Sequence, residues 1–121
     1  MANDLTRNEA LQKLSVSPGT LHQLEKSYFI IALRLADDTV LYPAYQFSEE
    51  GISVEFATLV SAFRESGASG WYMHHFFLSP HEGLGCTPLE ALAAGQLEAV
   101  RLAASLAAAV ADLQRTARDD A

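Results

Sequence analysis

The chain has few of the cysteine and cationic residues on which several classes of protein depend. It contains a single cysteine among 121 residues, which excludes a disulfide framework and any metal site built from several thiolates. Lys and Arg total 8 against 15 acidic residues, for a net charge of −7, so a protein that covers a long stretch of phosphate backbone with cations is not expected. Half of the residues are hydrophobic, which excludes a disordered chain and allows a real core.

Long apolar runs are also missing. The longest apolar stretch without a charge, residues 102–111, is ten residues long, whereas a membrane-spanning helix needs about 18 or more. The opening residues contain no apolar signal core. We therefore expect a cytoplasmic protein with no membrane span, and the single cysteine fits a reducing cytosol.

The negative charge is concentrated in the middle of the chain. Residues 48–95 carry one Arg against six Glu, a net charge of −5, while residues 1–47 and 96–121 each carry −1. Phosphate is repelled least at the two ends. If any part of the chain contacts DNA, we expect it to be the first third.

Two short helices are predicted one after the other near the start. Thr6 with Glu9 three residues later is a capping box that opens the first helix. Ser17 caps the second, in which Pro18 takes the first helical position, where its missing N–H is harmless. This second helix ends near Lys26. Only a few residues separate the two helices, which indicates that a tight turn joins them.

A hairpin is predicted directly after them. Residues 29–35 and 40–42 are rich in the β-branched and large apolar side chains typical of strands, the Asp37-Asp38 pair makes the turn, and Pro43 stops the second strand. Helix, turn, helix and hairpin is the order of a winged helix-turn-helix. We assign residues 1–47 to a DNA-binding unit of this kind.

The second helix would supply the DNA-binding surface. A Gln side chain can bind adenine through two hydrogen bonds, Thr, His and Lys can contact bases or phosphates, and an Arg on the hairpin would reach an adjacent phosphate or the minor groove. So few groups give a monomer weak, salt-sensitive affinity, which a dimer would raise. In the alternative, the helices and hairpin are structural and never meet DNA. The predicted DNA-binding residues are Thr20, His22, Gln23, Lys26 and Arg34.

The remainder is predicted to be helical. Apolar residues recur at helical spacing from Val54 to Phe63, Ser69 caps a short helix, Thr87-Pro88 opens another after a loop over 79–86, and a last helix covers about 96–115. We assign residues 48–121 to a helical unit for dimerisation and partner binding. The predicted fold is mainly α with a small β-hairpin, a winged helix-turn-helix followed by a helical bundle.

Several side chains could in principle carry chemistry. His74, His75, His81 and Cys86 are ligand types that zinc prefers, but neighbouring residues on a helix point about 100° apart and the spacing matches no closed site. Paired carboxylates lack an apolar pocket signature, and no glycine-rich phosphate loop follows a strand. We expect no metal, no cofactor and no enzymatic activity.

The last helix is apolar on two sides. A second stripe runs from Leu102 through Leu106 and Val110 to Leu113. A helix of this kind needs a partner on each side, so we predict a homodimer; the alternative is a central helix buried within one chain. The predicted dimer interface is the first stripe, Leu97, Val100, Ala104, Ala108 and Ala111.

Residues 71–101, WYMHHFFLSPHEGLGCTPLEALAAGQLEAVR, resemble the toxin-binding segment of the Xre/MbcA/ParS-type antitoxin family. The resemblance implies a small acidic antitoxin that dimerises, neutralises a toxin, commonly of the NAD-consuming RES type, and often represses its own operon. The matching positions are Trp71, Phe77, Pro80, Leu84-Gly85, Thr87 to Leu92, Gly95 and Val100.

The front of the chain departs from that family, whose DNA-binding domain is all helical. Residues 15–47 instead resemble a MerR- or excisionase-type winged helix. We expect a bacterial transcriptional regulator of antitoxin type that binds DNA, dimerises and binds a toxin; the alternative is a protein-interaction module whose winged helix is structural. The resemblance places toxin contacts in the loop and the C-terminal tail, at His81, Glu82, Leu84, Arg115 and Arg118.

Overall fold

The computed structural model describes residues 4–119, with side chains of the last helix described as far as Thr116. The chain forms two compact units, Met1–Ser61 and Ala62–Ala121. It is mainly α with a small antiparallel sheet, as predicted. The first unit contains β1 (Leu5–Thr6), α1 (Arg7–Leu14), α2 (Pro18–Lys26), β2 (Leu33–Arg34), β3 (Val40–Tyr42), a 3-10 turn (Ala44–Gln46), β4 (Phe47–Ser48), β5 (Gly51–Ile52) and α3 (Val54–Ser61).

Local caps define the first two helices, as the sequence predicts. The Thr6 hydroxyl accepts the Glu9 backbone N–H at 3.2 Å, and the Glu9 carboxylate accepts the Thr6 backbone N–H at 2.9 Å. The Ser17 hydroxyl accepts the Thr20 backbone N–H at 3.2 Å at the start of α2. Ser15, in the left-handed region at φ 54°, ends α1. Three residues therefore turn the chain between the helices, the geometry of a helix-turn-helix.

The sheet has the strand order β1-β3-β2, and both pairings are antiparallel. β1 was not predicted; its Leu5 lies opposite Tyr42. The strand predicted over residues 29–35 shrinks to Leu33–Arg34. The reason lies at Ile31, whose backbone N–H and C=O bond to the side-chain amide of Gln46, at 2.6 and 2.8 Å, instead of to another strand.

The boundary between the units lies after Ser61, later than the predicted boundary after residue 47. The β4–β5 hairpin belongs to the first unit because Phe47 and Ile52 pack on its hydrophobic core, and the Ser53 backbone N–H donates to the Gln46 carbonyl at 3.2 Å. The buried residues of that core are Ala10, Leu21, Ile30, Val40 and Tyr42.

The second unit, as far as residue 119, contains three helices, α4 (Gly70–Leu78), α5 (Pro88–Ala93) and α6 (Leu97–Asp119). The predicted caps are present: Ser69 at α4, and a Thr87–Glu90 capping box at α5. The Tyr72 hydroxyl donates to the Ala107 carbonyl at 2.8 Å and so ties α4 to α6. Within the part of the chain that the structure describes, no helix has the length and apolar character needed to cross a membrane.

The two stripes of α6 lie in different environments. Most of the first stripe is buried within the chain: Val100 and Ala104 are 0% exposed, Ala108 8% and Ala111 9%, with Leu97 half-buried. Small Ala side chains permit close approach of neighbouring backbone, so this stripe suits intrachain packing. Four of the five residues predicted for the dimer interface are therefore already buried within the chain, and the homodimer stays a prediction. The apolar surface that α6 exposes is the second stripe.

Candidate nucleic-acid interface

The structure brings four predicted DNA-binding residues together on the solvent side of α2. Thr20, His22, Gln23 and Lys26 are all exposed, whereas Leu21 is 1% exposed and anchors the other side of the helix in the core. α2 is the second helix of the helix-turn-helix, the one that enters the major groove in proteins of this fold. Its polar side is therefore placed as a recognition helix requires.

The start of α2 adds two hydroxyl groups to this surface. The Ser17 hydroxyl donates to the Thr20 hydroxyl at 3.0 Å while accepting the Thr20 backbone N–H. Both lie where the helix dipole is positive and its first N–H groups point outward. Hydroxyls and N–H groups at such a helix end are common phosphate contacts. Of the two hydroxyl residues, the sequence analysis predicts only Thr20 as a DNA-binding residue.

A network behind α2 contacts one of the predicted DNA-binding side chains, His22. The Nδ1 atom of His22 lies 3.5 Å from one carboxylate oxygen of Glu25, and the other oxygen accepts the Tyr42 hydroxyl. Burial raises the pKa of Tyr42 far above its ordinary value, Glu25 raises the pKa further, and a hydrogen bond with Arg7 opposes both effects. The Tyr42 hydroxyl therefore stays protonated and fixes Glu25, which positions the His22 ring. The network joins α1, α2 and β3, which no local sequence pattern would reveal.

A second cation lies near Arg34. Arg34, exposed on β2, and Arg7, exposed at the start of α1, both line a shallow depression together with Asn8 and Thr39. Two guanidinium groups and an amide attract a phosphate oxygen, but Asp38 lines the same depression and its carboxylate opposes that attraction. The sequence analysis does not include Arg7 among the DNA-binding residues. Its position directly after the Thr6 cap was an available signal. The pairing of β1 with β3 was not predicted, so nothing in the sequence brought Arg7 close to Arg34.

The tip of the hairpin is acidic. Asp37 and Asp38 are exposed in the turn between β2 and β3, where Asp38 adopts φ 67° and the Asp37 carboxylate accepts the Thr39 backbone N–H at 3.0 Å. Hydrogen bonds from Thr39 lower the pKa of Asp37 below its ordinary value, so the Asp37 carboxylate is ionised at neutral pH. The tip repels phosphate, and only the base of the hairpin, at Arg34, suits a DNA backbone.

The predicted partner loop is held by its own backbone. The His81 backbone N–H donates to the Cys86 carbonyl at 3.0 Å, and the His81 carbonyl accepts N–H groups from Leu84 and Gly85, each at 2.9 Å. His81 and Leu84 are half-buried, whereas Glu82 is exposed. Arg115 is exposed and paired with Asp112 at 2.5 Å. The Arg118 side chain lies outside the described residues.

The histidines of α4 are spread apart. His74 is buried with its ring against Trp71, at a centroid distance of 5.8 Å, and His75 lies 3.3 Å from the Ser79 hydroxyl. Among the residues that the structure describes, no group of three or more His, Cys, Asp or Glu side chains is arranged to hold a metal ion.

Comparison with known proteins identifies the fold and no family. No protein-family model matches the chain, and a comparison with curated proteins finds no match. The NMR structure of Rv2175c is similar to this chain with a TM-score of 0.72 and 18% sequence identity, over 87% of this chain and 80% of the other. A similarity at this identity is one of fold, and it agrees with the winged-helix order of elements.

Proposed function

We propose that the protein is a DNA-binding transcriptional regulator whose recognition element is α2. The observation that carries the proposal is the exposed polar side of this helix, from Thr20 to Lys26, on the second helix of a helix-turn-helix. Polar residues are ordinary on the exposed side of a helix; the support here is that these side chains can bind bases and phosphates and lie where the fold presents DNA contacts.

The side chains divide into two roles. Gln23 presents an amide that can donate to and accept from an adenine edge, a contact worth about 1–3 kcal/mol of discrimination. Lys26, Arg34 and the hydroxyl pair at the start of α2 contact phosphates, which fix register without reading sequence. With so few cations on a chain of net charge −7, one copy binds weakly, and two copies on two half-sites are needed for useful affinity.

The experiment measures binding to DNA from upstream of the protein's own gene by fluorescence anisotropy across a salt series. Lys26→Ala should weaken binding to every sequence and lower the salt slope by about 1, because one phosphate contact is lost. Gln23→Ala should mainly reduce discrimination between the specific site and random DNA.

Arg64→Ala is the control, since it removes the same charge from an exposed position in the second unit, and it should leave binding unchanged. Absence of DNA binding at low salt, or a Lys26→Ala variant that binds like the parent, would contradict the proposal and favour a structural role for the winged helix.

The second candidate function is capture of a toxin-like protein, with or without DNA binding. Its supporting observation is on α4, where Trp71 is 48% exposed and Leu78 41% exposed. These two residues are seven apart and so lie on one side of the helix, close in sequence to the loop that exposes Glu82. Large apolar groups beside an acidic loop suit a partner that is apolar at its centre and basic at its edge.

A further inference from the structure

Glu25 links the exposed side of α2 to the core of the first unit. One oxygen of its carboxylate accepts the Tyr42 hydroxyl from β3, and the other lies 3.5 Å from the Nδ1 atom of His22. The Glu25 side chain is 14% exposed, whereas that of His22 is 61% exposed. A mostly buried carboxylate therefore lies against a histidine on the surface that the proposed function turns toward DNA.

The proton on His22 follows from what its neighbour can accept. A carboxylate only accepts hydrogen bonds, whereas the two nitrogens of a neutral imidazole differ, since one carries a proton and the other a lone pair. A lone pair on Nδ1 would be repelled by the Glu25 carboxylate, so the neutral ring keeps its proton on Nδ1. Because the partner of one ring nitrogen sets the chemistry of the other, the distal nitrogen Nε2 is left with the lone pair.

Glu25 is held from two elements. His22 and Glu25 are three residues apart and are neighbours on the surface of α2, while Tyr42 reaches the same carboxylate from β3. Burial keeps the pKa of Tyr42 far above its ordinary value, so the hydroxyl stays a donor and occupies one carboxylate oxygen. The other oxygen faces the His22 ring.

We propose that Glu25 is a positioning residue for base recognition, which makes the Nε2 atom of His22 a hydrogen-bond acceptor. In the major groove an acceptor can bind the amino group of adenine or cytosine, whereas guanine and thymine present acceptors of their own. His22 thus selects A or C over G or T. This inference rests on the proposed function and deepens it, because it names the class of base that one side chain of α2 selects.

The position of the proton is measured without DNA. Long-range proton–nitrogen correlation NMR spectra of the full chain, at a pH where the ring is neutral, distinguish a protonated ring nitrogen from an unprotonated one. The His22→Ala variant identifies the His22 signals by their loss. We expect the proton on Nδ1 in the parent protein.

Glu25→Gln tests the cause. The amide oxygen can still accept the Tyr42 hydroxyl, while the amide NH₂ group faces Nδ1 and donates to it, so the proton should move to Nε2. Glu49→Gln is the matched control, since it removes the same charge from the exposed turn between β4 and β5, and it should leave the His22 proton on Nδ1.

The base preference is measured by selecting bound duplexes from a library that is randomised within the DNA upstream of the protein's own gene. The position read by His22 is the one whose preference is lost in His22→Ala. The parent should favour A or C there by about two- to tenfold, the range for one hydrogen bond. Glu25→Gln should turn this preference toward G or T, whereas positions whose preference is lost in Gln23→Ala should not change.

Two spectroscopic results would each overturn the inference: a proton on Nε2 in the parent, or a Glu25→Gln variant whose His22 signals match those of the parent. Three selection results would overturn the base reading: no position that responds to His22→Ala, a parent preference for G or T there, or a preference that Glu25→Gln leaves unchanged. Failure of the proposed function is distinguishable, because a parent that binds no DNA at low salt contradicts it while the spectra still decide which nitrogen carries the proton.

Discussion

A single buried amide completes the first unit. Gln46 is 1% exposed, and its side chain accepts the Ile31 N–H and donates to the Ile31 C=O, in place of a strand partner. Paired in this way, a buried Gln satisfies two backbone groups that would otherwise be costly to bury. Sequence reasoning could not find this contact, because the partners are 15 residues apart and Gln46 follows the end of a predicted strand without any motif.

Gln46→Leu should destabilise the protein strongly although it keeps an apolar side chain of similar size. Ile31 is 0% exposed, so its N–H and C=O would be left buried without partners, at a cost of about 1–3 kcal/mol or more. Urea denaturation followed by circular dichroism measures the change. Gln12→Leu, on the exposed side of α1, is the control and should stay within about 0.5 kcal/mol of the parent. Equal midpoints for the two variants would show that the Gln46 bonds contribute nothing to stability.

Among the elements, helices were predictable where their caps are local. Thr6 with Glu9 and Thr87 with Glu90 each satisfy their hydrogen bonds within three residues, so the sequence pattern contains the whole interaction. The strands β1, β4 and β5 have two residues each. Strands this short have no period to detect, and β1 exists because β3 lies beside it. The winged-helix order was therefore predicted, while the depression that joins Arg7 to Arg34 was not.

The hairpin is the element whose charge most directly opposes DNA binding. Asp37→Asn with Asp38→Asn should tighten binding at low salt by roughly 0.5–1 kcal/mol, or about two- to fivefold, because two carboxylates near the duplex are removed. Asn tolerates the left-handed conformation of residue 38 and can still accept the Thr39 N–H at residue 37. Anisotropy titrations against the same DNA measure the change.

The matched control for the hairpin is Glu49→Gln with Glu50→Gln, which removes the same charge from the exposed turn between β4 and β5. An equal gain in this control would mean that net charge alone is responsible and that the hairpin is not near the duplex.

At the scale of the whole molecule, the sequence indicated that α6 has two apolar sides but could not decide which one is buried. Leu is the larger apolar residue, yet Leu102 and Leu106 are exposed while Val100 and Ala104 are buried. Which side of α6 is buried depends on how closely the neighbouring elements approach its backbone. The hydrogen bond from the Tyr72 hydroxyl to the Ala107 carbonyl is an example of such close approach. Such close approach is a property of the packed unit and not of the helix pattern, so the side of α6 that stays exposed became visible only in the structure.

The charge of the whole chain bears on the protein partner. Residues 48–95 carry a net charge of −5, which would steer a basic protein toward them and speed its association at low salt.

If the loop between α4 and α5 binds the toxin-like partner proposed above, Glu82→Lys with Leu84→Ala should weaken binding to the product of the adjacent gene by about 1–2 kcal/mol. The measurement is calorimetry on the co-expressed pair. Gln12→Lys, which adds a positive charge at an exposed position of α1 outside residues 48–95, should change binding little. Deletion of residues 116–121 should leave the fold intact, because no apolar residue larger than Ala lies there. Binding that survives both the double change and the deletion would place the partner elsewhere on the chain.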